Sequence, residues 1–238
     1  MIQFYAPDIL TTSTLPESDS AHCCRVLRMK EGDEVYVVDG KGKRFRCVIV
    51  EAHPKHTMLE IQEEEELPSH WGFRLTLAVA PTKNADRMEW LLEKIVEIGV
   101  DRVVLLKCAR SERKVMKPER LEKVMVSAMK QSLKGILPEL SPMVSIKDFI
   151  NEERDSEAFR CFGYCSEVYP RKGFAKSCPP GKDVVIMIGP EGDFSPEEVE
   201  MAVEAGFLPV TFGESRLRTE TAALYGVTAA HVVNSLKD

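Results

Sequence analysis

Asp183-Val184-Val185-Ile186-Met187-Ile188 runs into Gly189-Pro190-Glu191-Gly192-Asp193-Phe194, and that into Ser195-Pro196-Glu197-Glu198. The first stretch is apolar after its opening residue and reads as a strand buried on both faces. In the third, a serine cap, a proline at the first helical position and a glutamate three residues past the cap open a helix. Strand, glycine-bearing loop, helix is the repeating unit of a parallel sheet covered on both sides, and it recurs outward in both directions. Upstream, residues 73–80 predict a strand. Asp86 with Glu89 reads as the capping box of a helix whose inner face is Met88, Leu91, Leu92, Ile95 and Ile98 and whose end is Gly99. Residues 102–106 predict another buried strand, and Pro118 opens a helix with Leu121, Val124, Ala128 and Met129 on its apolar side. Downstream, Gly206 ends the helix begun at Ser195, residues 208–212 form a strand and residues 220–236 a last helix. The expectation is one α/β domain over residues 71–238.

Before residue 69 the periodicity is shorter. Residues 34–38, 45–51 and 57–62 read as strands, with Asp39-Gly40-Lys41-Gly42 a hairpin turn. A helical stretch over residues 20–29 precedes them. This predicts a small β-barrel or half-barrel over residues 1–68, with Glu63-Glu64-Glu65-Glu66 and Leu67-Pro68-Ser69 as a linker.

The 238 residues, 44% hydrophobic and 29% charged, belong to a globular chain. No apolar run reaches membrane-spanning length, and the N-terminus lacks the basic flank and apolar core of a signal peptide, so a cytoplasmic protein without membrane attachment is expected. Seven scattered cysteines, an odd number without a Cys-x-x-Cys pair, speak against a disulfide framework and a metal centre. The net charge of -6 argues weakly against a nucleic-acid partner, but distribution matters more than the sum. Basic residues gather at Arg25, Arg28 and Lys30, at Lys41, Lys43, Arg44 and Arg46, and at Lys107, Arg110, Arg113, Lys114 and Lys117. Each cluster could equally be a solvated face.

Two loops carry the chemistry. Residues 189–194 lie between a buried strand and a capped helix, where open α/β sheets bind ligands. The loop lacks the Gly-Lys-Ser/Thr ending of a phosphate-binding loop. Glu191 and Asp193 suit a cationic centre better than a phosphate, although a plain tight turn explains the residues as well. The second loop, Phe212-Gly213-Glu214-Ser215-Arg216-Leu217-Arg218, leads into Thr219-Glu220-Thr221-Ala222. Two arginines beside a helix start can hold an anion, while Thr219 can also be read as an ordinary cap. The helix that follows is rich in small residues, so something packs close to its backbone. The five histidines form no ligand pattern, and His22 falls in the basic helical stretch.

Together, Gly189-Pro190-Glu191-Gly192 and Leu217-Arg218-Thr219-Glu220-Thr221-Ala222 closely resemble the signature of the RsmE family, bacterial methyltransferases that make N3-methyluridine in 16S ribosomal RNA. The likeness extends over nearly the whole chain: residues 22–35 match the form H-x-x-R-V-L-R-x-x-x-G-D-x-V, Lys83 to Glu89 the form Lys-x-x-x-Arg-Met-Glu, residues 93–100 the helix that follows, and Gln131-Ser132 a Gln-Ser step. The resemblance implies a PUA-like RNA-binding domain before a SPOUT-type α/β domain with a deep trefoil knot, a homodimer, and S-adenosyl-L-methionine as methyl donor to a uridine near the decoding centre. It places Ile188, Gly189, Pro190, Glu191, Gly192, Phe212, Gly213, Ser215, Leu217, Arg218 and Thr219 around the cofactor. Arg218, Glu220 and Glu191 are the candidate catalytic groups: a carboxylate to take the uridine N3 proton, or an arginine to stabilise the uridine anion. The glutamates could instead be structural. RNA contacts are expected from His22, Arg25, Arg28, Lys83, Arg87, Arg113 and Arg216.

The chain departs from the family pattern in three places. Asp193 stands where Gly is usual, Ser215-Arg216 where Arg-Ile is usual, and Lys130-Gln131-Ser132-Leu133-Lys134 where Glu-Gln-Ser-x-Arg is usual. Two rival readings survive: a methyltransferase of the same fold acting on another base or ribose of tRNA or rRNA, and an RNA-binding assembly factor without cofactor.

Overall fold

The computed structural model describes residues 2–166 and 168–236. The chain forms two compact units. One is the chain up to His70 with Val126–Leu137; the other is Trp71–Met125 with the chain from Pro138 onward.

The first unit is built on a four-stranded sheet, β1 (Gln3–Tyr5), β2 (Glu34–Val38), β3 (Lys43–Glu51) and β4 (Met58–Glu66), in that order. β1 pairs in parallel with β2; the other pairs are antiparallel. The predicted hairpin joins β2 to β3: Gly40 and Gly42 have φ of 76° and 105°, and Asp39 Oδ1 accepts from the N–H of Lys41 (2.7 Å) and Lys43 (3.1 Å). Alternation puts Val35 and Val37 of β2 and Phe45, Cys47 and Ile49 of β3 into one core with Phe4, Ile9 and Leu59. Two short helices, α1 (Ile9–Thr12) and α2 (Glu17–Ala21), cover it. α2 runs into a π-helical turn, His22–Val26, instead of one continuous helix, and Arg28 follows with φ of 56°.

The acidic run is not a linker. It completes β4, where Glu63, Glu64, Glu65 and Glu66 face Arg46, Phe45, Arg44 and Lys43 of β3. Arg44 pairs with Glu65 (2.5 Å), Arg46 with Glu63 (3.1 Å) and Lys43 with Glu64. Four carboxylates in sequence repel one another, but opposite a basic strand they form the cross-strand pairs that stabilise a sheet. This accounts for the basic cluster at residues 43–46 without a nucleic acid.

The second unit carries seven parallel strands in the order β7-β6-β5-β10-β8-β11-β9. In chain order the elements are β5 (Leu75–Val79), α3 (Ala85–Ile98), β6 (Arg102–Lys107), α4 (Pro118–Gln131), β7 (Glu139–Ser145), α5 (Ile146–Glu152), β8 (Phe159–Gly163), β9 (Lys172–Gly173), α6 (Phe174–Ser177), β10 (Val184–Ile188), α7 (Pro196–Glu204), β11 (Leu208–Thr211) and α8 (Thr219–Ser235). β5 and β10 are buried at every residue, as a central position in a doubly covered sheet requires. α3 buries Met88, Leu91, Leu92 and Ile95, and α7 has the full capping box at Ser195 and Glu198. The cap of α3 is Asn84, whose side chain accepts from Asp86 N–H at 2.9 Å; Asp86 itself is in the first turn. The small-residue stretch of α8 is also explained within the chain: a Cβ on Gly226 would lie 3.3 Å from the Ile186 side chain and the Phe212 ring.

α4 crosses the division, belonging to the second unit up to Met125 and to the first from Val126. Residues 126–137, read from the sequence as part of the α/β domain, are tied into the first unit. Gly42 N–H donates to Gly135 O (3.1 Å) and Leu137 N–H to Gly40 O (2.9 Å). Among the described residues no helix is long and apolar enough to cross a membrane.

Candidate active site

Because the strands are parallel, β8, β10 and β11, neighbours in the sheet, end on the same side. The loops that leave them wall a cavity of about 630 Å³, within the usual range for small-molecule sites. Of the residues expected there, Ile188, Gly189, Pro190 and Glu191 come from the β10 loop, and Phe212, Gly213, Ser215, Leu217, Arg218 and Thr219 from the β11 loop; Arg216 joins them. Two expected residues are absent from the lining. Gly192 lies behind the wall, against the side chain of Arg110. Glu220 opens instead into a smaller cleft with Asp86, Arg87, Trp90 and Thr221.

The two loops are joined directly. Thr219 is the first residue of α8, not its cap, and its hydroxyl donates to Gly189 O at 3.1 Å. Arg218 holds the cap position without capping, so its guanidinium is available to the cavity that it lines. Thr211 fixes the start of the β11 loop by donating to Gly213 O (2.7 Å), and Gly213 has φ of 129° with no atom within 4 Å of where a Cβ would stand. Among the described residues no protein acceptor is found for the backbone N–H groups from Glu214 to Leu217. Glu214, Ser215 and Arg216 are exposed and Leu217 is half-buried, so these donors stand open to a ligand beside the cavity.

A third wall was missed from the sequence. Gly163, Tyr164, Cys165 and Ser166 leave the end of β8, and Arg171 braces them by donating to Tyr164 O at 3.1 Å. β8 is short and partly polar, so periodicity did not mark it as a strand. Gly163 permits closure: a Cβ there would sit 3.0 Å from both Ile188 and Phe212. Asp193 ties this loop to the β10 loop. It adopts the left-handed conformation (φ 62°) that favours glycine, which gives a physical reason for the family's usual residue. Its carboxylate accepts from Phe194 N–H (2.9 Å) and Cys165 N–H (3.2 Å).

A brace lies behind the β10 loop. Arg110, after β6, donates to Gly192 O (2.9 Å) and Phe194 O (3.2 Å). Buried Glu198 accepts from Ala109 N–H (2.7 Å) and Ser195 N–H (2.8 Å). Arg113 donates to Thr82 O (3.1 Å) and Lys83 O (2.5 Å). Lys83 N–H in turn donates to Glu191 Oε1 at 3.0 Å. The structure thus brings Lys83, Arg113 and Glu191 together at one rim. The Lys83 ammonium is held charged, first by its hydrogen bond to Glu112 and more weakly by Glu191. Arg87 sits apart from these, 3.3 Å from the buried carboxylate of Glu220, whose other oxygen has no hydrogen-bond partner among the described residues. His22, Arg25 and Arg28 are exposed in the first unit.

Comparison with known proteins agrees with this architecture. Residues 69–231 match an RNA methyltransferase domain, and residues 15–61 an RNA methyltransferase PUA domain. Ribosomal RNA small subunit methyltransferase E of Bacillus subtilis is 27% identical over 92% of this chain and 89% of its own. Among solved structures, a probable rRNA-methyltransferase from Porphyromonas gingivalis superposes with a TM-score of 0.94 at 45% identity, covering 100% of both chains. A ribosomal RNA small subunit methyltransferase E from Neisseria gonorrhoeae, crystallised with S-adenosyl methionine, gives 0.83 at 27% identity over 98% of each. The expected α/β fold with a PUA-like N-terminal domain is therefore present, and the chain belongs to the RNA methyltransferase family, in the RsmE group that its two loops resemble.

Proposed function

We propose that this protein methylates N3 of a uridine in 16S ribosomal RNA of the small ribosomal subunit, using S-adenosyl-L-methionine. The observation that carries this reading is the cavity walled by both signature loops at the carboxyl ends of β10 and β11. Its residues fit the cofactor. Gly163 lets Ile188 and Phe212 close against the β8 loop and Gly189 lets Phe194 pack under the β10 loop, and the apolar lining of Ile188, Val210, Phe212 and Leu217 suits a purine. The N–H groups from Glu214 to Leu217 and the carbonyls around Gly189 can bind the polar edges of the nucleoside and amino-acid parts, and Glu191 places negative charge where a sulfonium would be favoured. When bound, the cofactor supplies an electrophilic methyl group.

The chain supplies alignment and charge. Uridine N3 must lose its proton to become a nucleophile. Arg218, at the start of α8, can stabilise the resulting anion, reinforced by the positive end of the helix. Of the two candidate glutamates, Glu191 lines the cavity, with one oxygen not engaged by Lys83 N–H, and Glu220 does not, so Glu191 is the better placed proton acceptor. Glu220, outside the lining, acts in this reading through Arg87. Lys83, Arg113 and Arg216 hold RNA phosphates near the cavity, and His22, Arg25 and Arg28 do so from the PUA-like domain.

The same reading includes a homodimer and a trefoil knot. Exposed Trp90 on α3 and Tyr225 and Val232 on α8 offer an apolar face for a second copy. The cytoplasm, where the small subunit is assembled, is the expected compartment. The direct test of site roles pairs cofactor titration with methyl transfer for Arg218→Ala. Cofactor affinity should be nearly kept while turnover falls about 100-fold, the scale of losing one charge-stabilising donor. Unchanged turnover would remove Arg218 from the mechanism, and absence of cofactor binding in the parent protein would favour a non-catalytic RNA-binding factor.

A further inference from the structure

The first unit contains a cavity of its own, of about 490 Å³. Its apolar sides include Ile2, Leu27 and Leu133; its polar lining includes Gln3, Asp19 and Lys130. Gln3 and Asp19 are 6% and 7% exposed. Asp19 is fully committed: Oδ1 accepts from Lys130 Nζ (2.7 Å) and Oδ2 from Tyr5 N–H (3.0 Å). Gln3 is half committed. Its Nε2 donates to Lys134 O (2.9 Å), while Oε1 has no hydrogen-bond partner among the described residues. A buried acceptor without a donor is costly and uncommon in native proteins. The lip of the cavity is formed by unusual backbone. Leu133 has φ of 55° just beyond α4, and His22 opens the π-helical turn, a feature common at functional sites.

We infer that this cavity holds one unpaired nucleobase of the RNA. Apolar walls suit the faces of a base, and an unmet carbonyl oxygen suits an N–H on a Watson–Crick edge, which single-stranded RNA exposes. A phosphate is a poor fit, because the carboxylate of Asp19 lines the cavity and neutralises the Lys130 ammonium. Arg25 and Arg28, exposed on and just after the π-helical turn, supply the backbone charge that such a base would bring with it. The matched PUA domain, residues 15–61, includes Asp19, His22 and Leu27 but neither Gln3 nor Lys130, so the cavity extends beyond it onto β1 and the end of α4. The inference rests on the RNA-methyltransferase reading for its ligand class, not for its geometry.

The test uses the full chain and a short fluorescein-labelled single-stranded RNA of the target sequence, together with copies lacking one base in turn. Ser127→Trp fills the cavity from an exposed helical position, and Gln3→Met removes the unmet acceptor at similar volume. Each variant should bind the intact RNA about 10-fold more weakly, equivalent to ~1.4 kcal/mol and within the range for one base. The salt dependence should not change, because no phosphate contact is lost. One abasic copy should bind the parent protein as weakly as the variants bind intact RNA. Parent-like binding by Ser127→Trp and Gln3→Met, or a parent that treats every abasic copy as intact, would overturn the inference. If Ser127→Trp fails to fold by circular dichroism, Gln3→Met decides. Methyl transfer measured in parallel separates the two readings: base-insensitive binding with normal transfer sinks the pocket alone, and base-dependent binding without transfer sinks the enzymatic reading alone.

Discussion

Replacing Asp193 tests whether the three loops act as one cofactor cradle. The residue contributes in two separable ways: it occupies a left-handed conformation, and its carboxylate bridges Phe194 N–H and Cys165 N–H. A hydrogen bond to a charged group is worth about 1.5–3 kcal/mol; because Asp193 is half-buried, solvent screening lowers this to about 1 kcal/mol for each bond. The left-handed conformation costs an alanine about 1 kcal/mol and a glycine almost nothing. Asp193→Gly should therefore lose ~1–2 kcal/mol and Asp193→Ala ~2–3 kcal/mol. Asn tolerates the same backbone and keeps one oxygen acceptor, so Asp193→Asn should lose ~1 kcal/mol or less. Calorimetric titration with S-adenosylmethionine, combined with thermal unfolding, measures this. The dissociation constant should rise in the order Asn, Gly, Ala, with about a five-fold step between Gly and Ala, the equivalent of ~1 kcal/mol. Equal affinities for the Gly and Ala variants would refute the backbone argument. An Asn variant as weak as the Ala variant would refute the bridging argument.

Gly163→Ala forces a methyl to within 3.0 Å of Ile188 and Phe212. Overpacking of this kind costs about 1–3 kcal/mol, so cofactor affinity should fall about 10-fold in the same titration with the fold retained. Arg110→Ala leaves the Gly192 and Phe194 carbonyls without their donor. Because Arg110 is exposed, the loss is ~1 kcal/mol, and steady-state kinetics should show a roughly five-fold rise in the cofactor KM with a smaller change in kcat. Burial, helped by the Glu198 carboxylate, pushes the Cys108 thiol from 9.0 up to about 12. The unfolded chain thus ionises first, and the stability this thiol contributes is intact below pH 9 and lost as pH rises toward 12. In urea titrations across that window, Cys108→Ala should flatten the fall; an unchanged slope would mean that the thiol is not held protonated.

The strands and helices that carry the site were legible because each has a local signal: the apolar run before Gly189, the serine-proline-glutamate start of α7, the glycines at 99 and 206. The braces had none. Arg110 and Arg113 lie in an aperiodic loop, and their importance depends on carbonyls 82 and 31 residues away in sequence. β8 was hidden because Arg160 interrupts a strand only five residues long. The acidic run misled because charge alone suggests solvent, whereas pairing with a basic strand is a non-local fact. Thr219 is a good cap residue by type, but one position too late in the chain to be the cap, and this freed its hydroxyl for Gly189. The transfer of residues 126–137 to the first unit was invisible for the same reason, since α4 is continuous across the boundary.

Methyl transfer to one uridine nitrogen is measured with small-subunit particles lacking the modification, incubated with the protein and S-adenosylmethionine and then digested for nucleoside mass mapping. N3-methyluridine at a single 16S position is the expected product. Methylation of another base or of ribose would contradict the proposed target, and no transfer together with no cofactor binding would contradict the enzymatic reading itself.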